Sequence, residues 1–183
     1  MKRFLLATLL ATAAATPVFA ASLKVDTNKG CSFVIKLRPD LAPKHVAQIS
    51  KIAASGAYDG VVFHRVIDGF MAQTGDVQFG KDGGDLSQAG MGGSKEPDIP
   101  AEFTKEHFAR GTVGTARSND PNSANSQFFV MLADGGFLDN QYTVFGSVDP
   151  EGMKCVDQIK KGDANNNGAV AQPDKMTKVT VMQ

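Results

Sequence analysis

The sequence has no tryptophan, only two cysteines, no excess of charge of either sign and no long apolar run beyond its first twenty residues. Nineteen Lys and Arg residues are balanced by nineteen Asp and Glu residues, which gives no reason to expect nucleic acid or an anionic membrane surface as a partner. The spacing of Cys31 and Cys155 excludes a CxxC redox motif.

The first twenty residues have the layout of a secretory signal peptide. Lys2 and Arg3 precede an uncharged run rich in Leu and Ala, and Val18-Phe19-Ala20 resembles a cleavage site. The run is shorter than the roughly 20 residues that span a bilayer, so a permanent anchor is the weaker interpretation. We expect residues 1–20 to be removed, which leaves residues 21–183 as one domain in the bacterial periplasm, with secretion beyond it as the alternative.

The two cysteines allow two interpretations. An oxidising compartment would permit a disulfide between Cys31 and Cys155, and with two cysteines the pairing would be unambiguous. The alternative is a pair of small buried apolar side chains. The sequence does not decide between them, because the distance between the two residues in space cannot be read from it.

Short apolar segments bounded by Gly or Asp-Gly turns dominate the chain and predict strands. The predicted strands are 22–27, 32–37, 61–66, 71–74, 112–116, 128–131, 143–148 and 178–182. Apolar residues at helical spacing predict helices over 43–54 and 152–160, and Pro43 and Gly56 mark the two ends of the first. These elements predict a mainly β fold, an eight-stranded antiparallel barrel closed on itself and capped by two or three helices.

Two Gly- or Asn-rich segments lack the periodicity of strands and helices. Residues 76–100 form a connection so long that we expect it to carry function or to move. Residues 163–168, followed by Asp174, partly match a calcium-binding loop, but the final ligand position is Asp instead of Glu and a strand follows. An Asn/Gly-rich turn is the favoured interpretation, and calcium is the alternative.

The most informative segment is the predicted strand pair around the turn Asp68-Gly69. Because side chains alternate between the two faces of a strand, four of them share one face if the turn keeps the register, namely Arg65, Ile67, Met71 and Gln73. A core face would not normally carry Arg, which is seldom fully buried without a partner. On these residues alone, a surface strand whose Arg pairs with an acidic neighbour is the simpler interpretation.

Spaced motifs across the chain resemble those of the cyclophilin family. The central motif is Phe63-His64-Arg65-Val66-Ile67, followed by Gly69-Phe70-Met71, Gln73 and Gly75-Asp76. The later motifs, in the right order, are Ser126-Gln127-Phe128-Phe129, Phe137-Leu138-Asp139 and Val144-Phe145-Gly146. The resemblance covers essentially the whole chain after residue 20, and the combination of motifs is highly specific.

The resemblance implies a peptidyl-prolyl cis-trans isomerase that accelerates rotation about X–Pro bonds in exported proteins and assists their folding. It implies proline-containing polypeptides as substrates. We expect no cofactor or metal, because rotation about a bond makes and breaks no covalent bond, and we expect the mature form to be a monomer without membrane contact. The catalytic role falls on Arg65. The substrate-binding positions that it implies are Phe70, Met71, Gln73, Ala116, Arg117, Gln127, Phe129, Phe137, Leu138 and Tyr142.

The sequence departs from the eukaryotic members of the family it resembles at two of these positions. Phe137 stands where they usually carry Trp, and Tyr142 where they often carry His. Because Phe lacks the indole N–H donor, we expect weaker binding of the macrocycle cyclosporin than in those relatives.

Rival functions rest on fewer residues. A non-catalytic module that binds proline-containing segments is the main alternative. A hydrolase built on His64 lacks a recognisable nucleophile, so His64 is interpreted as structural. His45 and His107 are expected to be exposed to solvent.

Overall fold

The computed structural model describes residues 21–183, so the predicted signal peptide lies outside the described residues. In chain order the strands and helices are β1 (Ser22–Thr27), β2 (Ser32–Leu37), α1 (Pro43–Ala54), β3 (Arg65–Ile67), β4 (Met71–Thr74), β5 (Thr112–Thr115), β6 (Phe128–Met131), β7 (Val144–Val148), α2 (Pro150–Val156) and β8 (Met176–Met182). Short 3₁₀ turns are found at Leu86–Gln88, Gly136–Leu138 and Ala164–Asn166. Neither α-helix of the described chain is long and apolar enough to cross a membrane.

The strands form one antiparallel sheet in the order β3-β4-β6-β5-β7-β2-β1-β8, which confirms the predicted fold class. The prediction of a fully closed barrel was slightly too strong. Strands β3 and β8 end the order, and within residues 21–183 isolated bridges such as Val62 to Lys175 stand where a continuous ladder would close the sheet. The reason lies in residues 61–64, which bond to several separate segments and so do not extend β3 as a strand.

The sequence predicted the bounds of the first helix correctly and those of the second helix only in part. Helix α1 has the predicted bounds, because Pro43 occupies its first turn and its apolar face is buried. Helix α2 begins two residues earlier than predicted, at Pro150, since the Asp149 side chain accepts a hydrogen bond from the Gly152 N–H and caps it. It ends at Val156, four residues before the predicted end.

The strands of the barrel wall separate two apolar clusters. Phe128 and Val130 of β6 point into the main core inside the barrel. Their neighbours Phe129 and Met131 belong to a smaller cluster on the outer face. This alternation follows from the twofold period of a strand, and it places an apolar floor outside the barrel.

A disulfide joins Cys31 and Cys155, whose Cα atoms lie 5.7 Å apart. It ties the turn between β1 and β2 to helix α2, although 124 positions separate the two residues along the chain. The structure thus decides the question that the sequence left open.

The expected exposure of His45 was wrong. His45 is fully buried in α1, and its Nδ1 lies 2.7 Å from a carboxylate oxygen of Glu102. The same carboxylate accepts hydrogen bonds from the backbone N–H groups of Lys44 and His45, so a distant acidic residue makes the burial of this polar ring tolerable. His107 is half-exposed between Asp134 and Asp139.

Candidate functional site

Strand pairing brings the predicted site residues together on the outside of the barrel. Arg65 of β3 lies opposite Gln73 of β4, and Ile67 lies opposite Met71. Gln73 in turn lies opposite Phe129 of β6. The predicted shared face of the two strands is therefore present, and it continues onto a third strand.

A cavity of about 410 Å³ opens on this outer face beside Arg65. Nine of the ten predicted substrate-binding residues line it, namely Phe70, Met71, Gln73, Ala116, Arg117, Phe129, Phe137, Leu138 and Tyr142. We call this cavity the notch. Gln141 also lines it and was not predicted.

The floor of the notch is apolar and tightly supported. Met71 and Phe129 are almost fully buried, and Phe108 stacks beneath Phe129 with ring centroids 5.8 Å apart. A Cβ atom at Gly114 would lie 2.7 Å from both rings, so only glycine fits behind them. Sequence reasoning missed Phe108, because it lies in an irregular segment without periodicity.

Three hydrogen bonds hold the Arg65 guanidinium at the edge of the notch. Its Nε donates to the backbone oxygen of Asn167 at 3.0 Å and its Nη2 to the Oδ1 of Asn167 at 2.9 Å. Its Nη1 donates to the Oε1 of Gln73 at 3.3 Å. Partial burial lowers the pKa of Arg65 from its ordinary value, yet an arginine this basic remains charged at neutral pH.

A chain of amides fixes the orientation of Gln73. Its Nε2 donates to the Oε1 of Gln127 at 2.9 Å, and the Nε2 of Gln127 donates to the backbone oxygens of Gly90 and Gly92. Because Gln127 uses its donor end on two carbonyls, its oxygen must face Gln73. The oxygen of Gln73 is then directed towards Arg65.

A second cavity, of about 320 Å³, adjoins the notch on the side of Gln127. Its lining consists of Gln73, Gly90, Met91, Gly92, Ala116, Arg117, Ser118, Ser123, Asn125 and Gln127. The tenth predicted substrate-binding residue, Gln127, therefore lies here. Asn125 and the small residues of the wall were missed, since turn-forming residues are common in loops without any binding role.

Part of the long connection from 76 to 100 forms the wall of this second cavity. The buried carboxylate of Asp76 accepts hydrogen bonds from the N–H groups of Gly90 and Gly92 at 2.8 and 2.9 Å. It also accepts hydrogen bonds from the N–H groups of Gln78 and Phe79. Four of the backbone N–H groups in this segment thus bond to one acidic side chain, and the segment contains no strand or α-helix.

Comparison with known proteins identifies the family. Residues 22–181 match the family model described as cyclophilin type peptidyl-prolyl cis-trans isomerase/CLD. The chain belongs to the cyclophilin family. A probable peptidyl-prolyl cis-trans isomerase of Brucella suis is 59% identical over 170 residues, which cover 92% of this chain and 85% of that protein. Peptidyl-prolyl cis-trans isomerase A of Dickeya dadantii is 34% identical over 178 residues, covering 91% of this chain and 88% of that protein.

Solved structures agree with this assignment. A cyclophilin from Hirschia baltica has a TM-score of 0.71 at 27% identity, over 87% of this chain and 73% of its own. A cyclophilin-type isomerase of Cryptosporidium parvum, studied in the presence of the dipeptide Ala-Pro, has a TM-score of 0.73 at 22% identity, over 88% of this chain and 99% of its own, which bears on the fold alone. This cyclophilin is therefore a peptidyl-prolyl cis-trans isomerase, as its motifs predicted.

Two further residues tie the notch to the second cavity of this cyclophilin. The Arg117 guanidinium lies over the ring of Tyr142, 4.3 Å from its centroid, and donates to the backbone oxygen of Gln141. Arg117 lines both cavities and Tyr142 lines the notch, so the cation–π contact holds Arg117 at the boundary between the two cavities.

His64 of this cyclophilin should make its stability sensitive to acid. Burial of the ring lowers the pKa of His64 to about 4, whereas an unfolded histidine takes up a proton near pH 6.5. The unfolded state therefore binds more protons between these values. The contribution of His64 to the free energy of unfolding is complete above about pH 6.5 and falls by up to about 3 kcal/mol as the pH drops towards 4.

Urea unfolding at pH 7 and at pH 4.5 would measure this loss in the wild-type domain and in His64→Gln. We expect the loss to be smaller in the variant, because its side chain cannot be protonated. The pKa of His45 is also lowered by burial, and that effect is common to both proteins. Equal losses in the two proteins would contradict the assignment to His64.

Proposed function

We propose that this cyclophilin accelerates rotation about X–Pro bonds in exported polypeptides outside the cytoplasm, with Arg65 stabilising the twisted amide. The observation that carries the proposal is the arrangement at the notch. A charged guanidinium, held by three hydrogen bonds, lies at the edge of a buried apolar floor.

The reaction needs no nucleophile, because no covalent bond is made or broken. Twisting an X–Pro bond removes amide resonance and meets a barrier of about 18–20 kcal/mol. Uncatalysed rotation takes tens to hundreds of seconds. A catalyst must therefore bind the twisted amide more tightly than either planar form.

Arg65 has donors left for that purpose. A guanidinium carries five N–H bonds, and the contacts with Asn167 and Gln73 use three of them. The other two N–H bonds are not used by Asn167 or Gln73. In the twisted state the prolyl nitrogen regains its lone pair and becomes an acceptor, so a fixed Arg65 N–H can donate to it or to the adjacent carbonyl.

The apolar floor of the notch would also contribute to catalysis. Met71, Phe129 and Leu138 would hold the pyrrolidine ring while the preceding carbonyl turns. Because they exclude water, they also strengthen the electrostatic effect of the neighbouring guanidinium. Gln127 and the backbone at Ala116 and Arg117 would bind the peptide on either side of the proline.

Exchange NMR on a prolyl peptide tests the activity of residues 21–183. We expect the domain to produce cross-peaks between the cis and trans forms at a mixing time at which the free peptide shows none. Binding that shifts the peptide resonances without exchange would favour the alternative, a non-catalytic binding module.

The proposed location has its own test. Expression of the full chain in a Gram-negative host should yield a periplasmic protein that begins at Ala21, as measured by the intact mass of that fraction. A cytoplasmic protein that retains residues 1–20 would contradict it. The monomeric state stays a prediction, which light scattering on the same sample would check.

Cyclosporin binding should strengthen when an indole is restored at position 137. Phe137 is 65% exposed at the rim of the notch, where its ring lies 5.4 Å from that of Phe70. We expect Phe137→Trp to bind cyclosporin roughly five- to tenfold more tightly, because the indole adds one N–H donor. Calorimetric titration measures this, with Phe137→Leu as the control without a donor. A wild-type affinity equal to that of the Trp variant would contradict the prediction.

A further inference from the structure

Asn167 holds Arg65 through two different atoms. Its backbone oxygen accepts the Arg65 Nε–H at 3.0 Å, and its Oδ1 accepts an Nη2–H at 2.9 Å. Two acceptors on one residue define both the position and the plane of the guanidinium. The remaining contact, with Gln73 at 3.3 Å, is the longest of the three and would leave that plane free to rotate.

The loop before β8 is folded so that Asn167 can present both oxygens on one side. Asn167 has φ of 50° and ψ of 31°, a left-handed conformation that Asn adopts more readily than most residues. The Asp163 side chain accepts the Asn165 N–H, and the Asp163 backbone oxygen accepts the N–H groups of Asn166 and Gly168. These bonds close the loop around the 3₁₀ turn.

The same loop is fastened to the strand that carries Arg65. The Val66 N–H donates to the backbone oxygen of Gly168 at 2.8 Å, and the Gly162 N–H donates to the backbone oxygen of Val66. A Cβ atom at Gly168 would lie 2.4 Å from Ile67, so the loop packs as closely on β3 as a glycine allows. These contacts fix the loop to the backbone of β3, so they also fix the position of Asn167 relative to Arg65.

We propose that Asn167 is a positioning residue for Arg65, an inference that rests on the proposed role of that arginine. It also gives a role to residues 163–168, for which the sequence allowed either an Asn/Gly-rich turn or a calcium-binding loop. The acidic side chains at the two ends of the segment have other partners. Asp163 caps the 3₁₀ turn, and Asp174 accepts hydrogen bonds from Asn28 and from the Lys160 N–H. The Oδ1 of Asn167 is directed to the guanidinium.

Asn167→Gly isolates the side-chain contact. Glycine tolerates the left-handed backbone and keeps the carbonyl, but it removes the side chain and with it the Oδ1 that contacts Arg65. We expect kcat to fall roughly five- to tenfold, the effect of losing one of the three hydrogen bonds that hold the guanidinium, with KM unchanged because the apolar floor is intact. Asn167→Asp restores an acceptor oxygen and should recover most of the loss. Asn165→Ser, in the same loop, should leave kcat within about twofold of wild type.

A double-mutant cycle separates positioning from a general structural role. If Asn167 acts through Arg65, adding Asn167→Gly to Arg65→Ala should lower the residual activity no further, as measured by exchange NMR at high enzyme concentration. A similar five- to tenfold fall in both backgrounds would overturn the inference. So would a wild-type kcat for Asn167→Gly beside an inactive Arg65→Ala, a result that leaves the proposed function standing. Near-normal turnover in Arg65→Ala would instead overturn the proposed function itself.

Discussion

Replacing Arg65 with alanine should lower kcat/KM for a prolyl peptide by about two to three powers of ten, the usual effect of removing one preorganised donor from a water-poor site. The reason is that the guanidinium is the charged donor that the proposal places beside the twisting bond. Binding of the peptide should weaken much less, because the apolar floor of the notch and Gln127 are unchanged. The loss should therefore appear mainly in kcat.

The fold of Arg65→Ala should be preserved, since the side chain lies on the outer face of the barrel and is only partly buried. Circular dichroism and the thermal midpoint would check this on the sample used for kinetics. Arg65→Lys is the matched control. It keeps the charge but loses the planar fork that bonds Asn167 and Gln73, so we expect it to remain far below wild type. Wild-type turnover in the Lys variant would show that charge alone suffices.

Breaking the disulfide between Cys31 and Cys155 should lower the free energy of unfolding by about 2–5 kcal/mol. The bond joins residues 124 positions apart, so it restricts most of the unfolded chain. Breaking it gives the unfolded state many more conformations while the folded state changes little. The sheet and the buried core should still fold without it at 25 °C.

Urea unfolding of the domain with and without a thiol reductant measures this loss, and the double variant Cys31→Ser with Cys155→Ser should reproduce it without reductant. Isomerase activity at 25 °C should stay within about twofold of wild type in either case. The bond lies between the β1–β2 turn and α2, and neither segment lines the notch or the second cavity. Identical urea midpoints for the oxidised and reduced domains would contradict the prediction.

Local patterns placed most of the fold. Strands β1, β2, β4 and β6 and helix α1 have the predicted bounds, because each is defined by the spacing of its own apolar residues and by turn residues at its ends. The strand predicted over 61–66 was wrong in its first residues. Their backbone groups form hydrogen bonds with segments far away in the sequence, and the composition of 61–66 could not show where the regular strand begins.

The sequence by itself determined the family, the shared face of Arg65 and Gln73, and ten residues that the structure gathers around two adjoining cavities. A strand's twofold period and spaced motifs are local properties, and they can be read from the order of residues alone. The tertiary structure decided that the barrel is incompletely closed, that Cys31 and Cys155 are bonded, and that Phe108 supports the floor of the notch. It also decided that Asn167, in a loop about a hundred residues further along the chain, accepts two hydrogen bonds from Arg65. Each of these depends on a contact between residues far apart in the chain, and such contacts leave no periodic trace in a single sequence.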